Sequence, residues 1–397
     1  MPDDAFNGYY RGIVETLKSM HREGKLIDSL TVDDALQASR KQYKSSDLSD
    51  MAIRALSLNF EGDKQLLMDD YRRRQVNGAV NGLRMMLADH IPPDEVIGKG
   101  IETLSGLLQP AEAGAQDLEN VIREVIYELQ AGKSIPSMAT GFADVDSALG
   151  GGLRAKTLTI VAGRTSMGKS AFALQIACNA ARAGYKVLYF SIEMPVRALS
   201  RRVLSMTENL ESVELRSPGP NSKNKDWEGV LKRLNIGGPN LVVDDDPGLT
   251  SGQAIARAHK VKAQHGLHVV ILDYVQLMGD VLGASENRNQ LLGRITRAFA
   301  VLARRLNVAV VLVSQLNRRL ENTADNEPRL SDLRDSGELE QISDNVLMIH
   351  RPAYFKRAED EHKAVLIVGK QREGPTGRIA LYWDSTRVRF CNAARGA

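Results

Sequence analysis

Residues 163–170 read GRTSMGKS, which fits the pattern G-x-x-x-x-G-K-[ST]. The apolar run TLTIVA precedes it, and SAFALQIACNAARAG, of helical pattern, follows it. A strand–loop–helix of this kind is built to hold phosphate. Main-chain N–H groups of the loop wrap the anion, and the helix N-terminus adds positive potential. Gly163 and Gly168 let the backbone turn and approach, with Arg164, Thr165, Ser166 and Met167 filling the loop between them. Lys169 is placed to reach the β- and γ-phosphates of a nucleotide, and Ser170 to ligate Mg²⁺.

Three further strand ends carry residues that such a site needs. HVVILDYVQ sets Asp273 at the end of an apolar run, where the second magnesium ligand is expected. VLYFSIEMP sets Glu193 where a carboxylate can deprotonate an attacking water. VAVVLVSQLNR ends its run with Gln315, a neutral donor suited to sensing a γ-phosphate. A fourth run, AVLIVGK, leads into KQREGPTG at 370–377. Alternate side chains of a strand face the same way, so Lys370 and Arg372 point together while Gln371 points away. Two cations aimed at one place suit a phosphate. The plain alternative is a solvated strand end before a Gly/Pro turn.

The elements that must position these residues are legible as texture. From about residue 138, apolar runs alternate with helical stretches: TLTIVAG, KVLYFSI, NLVVDDD, HVVILDY, VAVVLVSQ, NVLMIHR, AVLIVGK and RIALYW. Near-continuous apolar runs mark buried parallel strands. Alternation with helices predicts a mainly parallel sheet covered on both faces, with the last, closely spaced runs forming an antiparallel or mixed edge. Before about residue 156 no strand pattern is visible, and residues 1–110 read as a small all-α domain. Thr31, followed by Asp33 and Asp34, reads as the N-cap of a helix. The stretches 63–90 and 93–109, separated by Pro92-Pro93, read as a helical hairpin. Residues 111–137 form a linker with an amphipathic helix over 117–131. Its stripe of Leu118, Val121, Ile122, Val125, Ile126 and Leu129 must bury against its own domain or against a neighbouring subunit. Residues 138–397 make the α/β domain.

Bulk numbers narrow the class. The 397 residues suggest two or three domains. Hydrophobic residues at 43% and charged residues at 25% are ordinary for a soluble globular chain. A net charge of +3 points to no polyanionic partner, so any nucleic-acid site must be local. Cys178 and Cys391 have no CxxC or Cys/His spacing, which argues against zinc and disulfide scaffolding and suits a reducing cytoplasm. The start has no signal-peptide pattern, and no segment approaches the roughly 18 apolar residues of a membrane span.

TGFADVDSALGGGLRAKTLTIVAGRTSMGKSAFALQIA, FSIEM, VILDYVQLM, VVLVSQLNR, PRLSDLRDSGELEQISDNV and KQREGPTG occur in the order seen in the DnaB family of replicative helicases. The resemblance covers roughly residues 138–390. It implies a RecA-like P-loop NTPase motor, six copies in a ring, ATP and Mg²⁺ at subunit interfaces, and single-stranded DNA in the central channel. It also implies 5′-to-3′ translocation that unwinds the duplex at a fork. In the ring, Arg372 would be an arginine finger on the neighbour's γ-phosphate, with Lys370 beside it. Arg334, Asp335 and Gly337 match positions that contact the DNA backbone. The segment 277–294, with Arg288 and Arg294, resembles a second channel loop. Neither loop has an aromatic residue, so backbone tracking rather than base stacking is expected. The stripe at 118–129 resembles the linker helix that packs on the adjacent motor. FNGYYRGIVETLKSMHREGKLIDSLTVDDALQ resembles an inner part of the family's N-terminal collar, which has further helices before it. That implies a shortened collar, compatible with a phage or prophage form. Helicase loader and primase are the implied protein partners. The competing reading is a RecA-like oligomeric ATPase that signals or assembles without unwinding.

Overall fold

In the N-terminal part the structure, a computed structural model, describes residues 29–39, 60–89 and 117–131, with 13, 15–20, 23, 25, 91, 96, 99, 100, 103 and 104. Beyond these it describes 136–208, 210–216, 226–234, 240–282, 286–316, 326–355 and 360–393. The chain divides into two compact units, Met1–Leu118 and Glu119–Ala397.

In the first unit, helices α1 (Ser29–Ala38) and α2 (Phe60–Ala88) are the longest described elements. Ile13, Met20, Val32 and Leu36 bury together in a small core. Helix α1 begins at Ser29, so Thr31 is already inside it and is not its N-cap. Asp28, Ser29 and Thr31 are all of capping type, and residue type does not choose among them. Asp33 instead accepts a hydrogen bond from Gln37 one turn on, at 2.8 Å. Gly78 and Gly82 sit within α2 without breaking it. The following helical segment returns beside it: a Cβ on Gly100 would lie 3.2 Å from Leu83 Cδ1.

Helix α3 (Leu118–Gln130) keeps its stripe uncovered; Leu118 and Leu129 are each 70% exposed, and Ile122, Val125 and Ile126 are close to half exposed. Two short strands follow, β1 (Ser137–Met138) and β2 (Leu153–Arg154), paired antiparallel around α4 (Ala143–Ala148). The sequence showed no strand so early, because two residues carry no periodicity.

Among the described residues the main sheet has nine strands: β3 (Leu158–Gly163), β4 (Val187–Ser191), β5 (Leu241–Asp244), β6 (Val269–Asp273), β7 (Ala309–Gln315), β8 (Asn345–His350), β9 (Lys363–Gln371), β10 (Gly377–Asp384) and β11 (Arg389–Asn392). Their spatial order is 11-10-9-8-3-7-6-4-5. Strands β3 to β8 pair in parallel, and β8 to β11 pair antiparallel. All eight apolar runs are strands, and the antiparallel edge is where the closely spaced runs put it. Strand β11 is an addition.

Both faces of the sheet are buried. Val161, Tyr189, Ile271, Val311 and Val313 face one core with Phe172 of α5 (Lys169–Arg182). Ile160, Phe190, Leu272 and Leu312 face the other. There Ala254 and Ala258 of α6 (Ser251–His265) and Ile295, Phe299 and Leu302 of α7 (Arg288–Leu306) cover them. Helix α7 is well delimited. Asn287 and Gln290 form a capping box, Arg304 and Arg305 sit in the last turn, and left-handed Asn307 ends it.

Phe390 of β11 is fully buried, edge-on to Phe172 and 4.7 Å from the Trp383 ring. Truncation to Ala should cost about 3–5 kcal/mol. Denaturant titration of Phe390→Ala should show a lower midpoint for the larger unit; an unchanged midpoint would contradict this packing role.

Candidate active site

In a parallel sheet the strand ends of like sense share one edge. The register sets Gly163 opposite Gln315 and Ser191 opposite Asp273. The loop after β3, the Glu193 turn after β4, Asp273 and Gln315 are thereby brought to the same edge.

The phosphate-binding loop is held open by its backbone. Ser166 and Gly168 have φ of 66° and 94°. At Gly168 a side chain is excluded twice, because a Cβ would also lie 2.9 Å from Phe390 Cζ and 3.1 Å from the Trp383 ring. The shelf beneath the loop is fixed from three sides. Gln175 of α5 pairs with both main-chain groups of Phe390, at 2.7 and 3.0 Å. Arg351 lies 4.4 Å above the Trp383 ring and donates to the Ser166 carbonyl at 3.2 Å. Trp383, Phe390 and Arg351 come from parts of the chain remote from the loop, while Gln175 lies in the helix that follows it; the sequence assigns none of them a role there.

Lys169 donates to the Arg164 carbonyl at 2.9 Å. Burial pulls its pKa down to about 8, opposed by the carboxylates of Asp273 and Glu193. Ser170 Oγ donates to Asp273 Oδ1 at 3.1 Å, and Tyr189 donates to Oδ2 at 2.9 Å. Asp273 is fully buried. Burial pushes its carboxyl up, while the bonds from Ser170 and Tyr189 pull it down. The Asp273–Tyr274 peptide is cis. Glu193 is exposed at the mouth and acts electrostatically on both Lys169 and Asp273. Gln315 donates through Nε2 to Thr165 Oγ1 at 2.8 Å, so its amide lies on the loop itself. Ser170 and Asp273 present two adjacent oxygens, which fits Mg²⁺, an ion commonly held by one or two protein oxygens with water and substrate phosphates.

Lys370 and Arg372 lie elsewhere. Gln371 pairs with Asn345 at the start of β8, and Asn345 pairs with Thr159 at the start of β3. The cations are therefore at the opposite edge of the sheet from Lys169. The strand between spans roughly 16 Å. Both reach one segment of their own chain, just after α8 (Gly337–Ile342) and at its end. Lys370 donates to the carbonyls of Glu340 and Ser343. Arg372 donates to the Gln341 carbonyl and pairs with Asp344, each at 3.1 Å. Gln371 turns the other way, to the Ala148 carbonyl.

Arg334 and Asp335 lie in a 3₁₀ segment, Leu330–Ser336, and Gly337 opens α8. The side chains at 334–337 lie outside the described residues. Buried Leu333 and Leu339 anchor the segment on either side. In the other loop, residues 283–285 lie outside the described residues. Arg288 donates to the Gln276 carbonyl at 2.8 Å. Arg294 is engaged by Glu286 at 3.1 Å and Asp280 at 3.8 Å, which offsets its charge.

Residues 137–392 match the DnaB-like helicase C terminal domain. The chain belongs to the DnaB family of replicative DNA helicases. It is 32% identical to the replicative DNA helicase DnaB of Pasteurella multocida, over 99% of this chain and 88% of that one. It is 28% identical to the replicative DNA helicase DnaC of Bacillus subtilis, over 100% and 89%. Among solved structures, an ATPase domain superposes with a TM-score of 0.66 at 26% identity, covering 70% of this chain and all of that one. A DnaB-like replicative helicase superposes with a TM-score of 0.69 at 23% identity, covering 99% and 94%, and so shares the fold. This DnaB-family chain is thus an ATP-hydrolysing helicase with a RecA-like, nucleotide-binding motor. Among the described residues no helix is long and apolar enough to cross a membrane.

A nucleotide phosphate set against Lys169 should hold its proton. With burial holding the pKa of the free ammonium down to about 8, the affinity for a triphosphate analogue should fall as the pH rises above about 8. Calorimetry at a pH of about 8.5 should show proton uptake, as a binding heat that varies with buffer. A binding heat independent of the buffer would contradict this placement of Lys169.

Proposed function

We propose that this DnaB-family chain is the motor of a hexameric ring that translocates on single-stranded DNA, 5′ to 3′, and unwinds the duplex at a replication fork in the cytoplasm of a bacterial or phage-infected cell. The observation that carries the reading is the division of charge between the two edges of one sheet. Lys169, Asp273, Glu193 and Gln315 share an edge, while Lys370 and Arg372 sit on the other, beyond reach of that nucleotide site. A chain built this way offers half a site on each side, and a ring of like chains joins the halves.

In this reading the main-chain N–H groups of 163–170 and the Lys169 ammonium bind the ATP phosphates. Ser170 and Asp273 would hold Mg²⁺, which would supply positive charge beside the phosphates when bound. Glu193 takes the proton from the attacking water as the bond to the γ-phosphorus forms and the bond to the β-phosphate oxygen breaks. The neighbour's Arg372 and Lys370 stabilise the charge that develops on the transferred group. Gln315 hydrogen-bonds the γ-phosphate and loses that partner after release. Arg334, Asp335 and Gly337 meet the DNA backbone, giving sequence-tolerant, salt-sensitive binding. The uncovered stripe of α3 docks on the adjacent motor, which accounts for its exposure in a single chain. The solved DnaB-like helicase is described with its interactions with primase, and primase and a helicase loader are the partners inferred for this chain. Residues 1–110, 111–137 and 138–397 are taken as collar, linker and motor. Relatives named as replicative helicases weigh against an ATPase without unwinding.

ATPase activity should rise with single-stranded DNA, and a forked duplex should be unwound. Glu193→Gln should still bind nucleotide but lose about 10²–10⁴-fold in turnover. Hydrolysis by Glu193→Gln near the wild-type rate would refute the base. Absence of both stimulation and unwinding in the wild-type protein would refute the helicase reading.

A further inference from the structure

Gln276 stands inside VILDYVQLM with no role read from the sequence, yet its side chain joins that stretch to the end of VVLVSQLNR. Strands β6 and β7 pair from Val269–Ala309 to Leu272–Leu312 and no further. Strand β7 continues to Gln315, with β3 on its other side. The side-chain amide of Gln276 takes over where β6 stops. Its Oε1 accepts from the Gln315 N–H at 3.2 Å. Its Nε2 donates to the Gln315 carbonyl at 3.2 Å and to Ser314 Oγ at 2.9 Å. One amide side chain thus does what a strand's peptide group would do, satisfying a donor and an acceptor of the same residue. The held residue is the one whose side chain lies on Thr165 of the phosphate loop. On its other side, the Gln276 carbonyl accepts from Arg288, which opens α7 at the far end of the 277–287 loop.

We infer that Gln276 is a positioning residue: it fixes the backbone of Gln315 so that the Gln315 amide meets the nucleotide, and its own carbonyl ties it to Arg288 at the start of α7. The inference rests on the reading of Gln315 as the γ-phosphate sensor. Leu has similar bulk and makes none of the three side-chain bonds. It frees Gln315 to shift while leaving Lys169 and the main-chain N–H groups of 163–170 in place.

The test compares Gln276→Leu, Gln315→Ala and the double variant in the full-length protein. A fluorescent ATP analogue gives Kd, and single-stranded DNA gives the stimulated ATPase rate. Gln276→Leu should keep the nucleotide Kd and lower the stimulated rate by about 10- to 100-fold, as misplacement of a reacting group does. The double variant should be no slower than Gln315→Ala, because the first change acts only through the second residue. If Gln276→Leu fails to bind nucleotide, Gln276→Met is read in its place with the same expectations. Losses that multiply in the double variant would overturn the inference, as would a wild-type rate for Gln276→Leu beside a slow Gln315→Ala. A wild-type rate for Gln315→Ala would overturn the sensor reading and the inference together.

Discussion

The register of the parallel strands is the constraint from which the rest of the motor follows. Once β3 is aligned with β7 and β8, and β4 with β6, every residue just past a strand end is committed to one edge or the other. The apolar cores on both faces make this alignment costly to change. A slip of one residue would turn Val161 and Ile271 to the wrong face and carry Asp273 with them. Strand β9 runs antiparallel to β8, and that reversal alone takes Lys370 and Arg372 to the edge opposite Lys169. The proposal that neighbouring chains complete one another's sites is a consequence of strand direction.

Within the nucleotide edge, burial does chemical work. Asp273 is buried in an apolar sheet, where Ser170 and Tyr189 donate to its carboxylate oxygens. A buried carboxylate that is pushed up by desolvation gains from a nearby cation. Burial pulls Lys169 down, against the carboxylates of Asp273 and Glu193. The aromatic shelf of Trp383 and Phe390 leaves no room for a side chain at 168 and so favours glycine there. At the opposite edge, Lys370 and Arg372 rest on the carbonyls that end α8, where a helix presents partial negative charge. That helix follows the segment proposed to meet DNA.

Much of this was readable beforehand because buried parallel strands need continuous apolar runs. All eight runs became strands, and the polar residues at their ends, Asp273 and Gln315, stood out against them. Glu193, two residues past its strand, was found in the same way. What stayed hidden had no local signal. Two-residue strands at 137–138 and 153–154 have no period to detect. The shelf joins residues more than two hundred positions apart, as Gln175 and Phe390 show. Gln276 lies inside VILDYVQLM, but its role shows only once β7 is seen to outrun β6. Thr31 was misassigned because several capping types cluster there. The alternation of Lys370, Gln371 and Arg372 was legible, but their resting place on α8 was not.

The central claim is that the loop of one chain and the cation pair of another form one catalytic site. It is tested most directly by mixing two variants, Lys169→Ala and Arg372→Ala, and measuring ATP hydrolysis with single-stranded DNA present. In mixed rings, an intact loop from the Arg372→Ala chain meets an intact pair from the Lys169→Ala chain. The account predicts a rate above the sum of the two variants measured alone. A mixture that only matches that sum would contradict it.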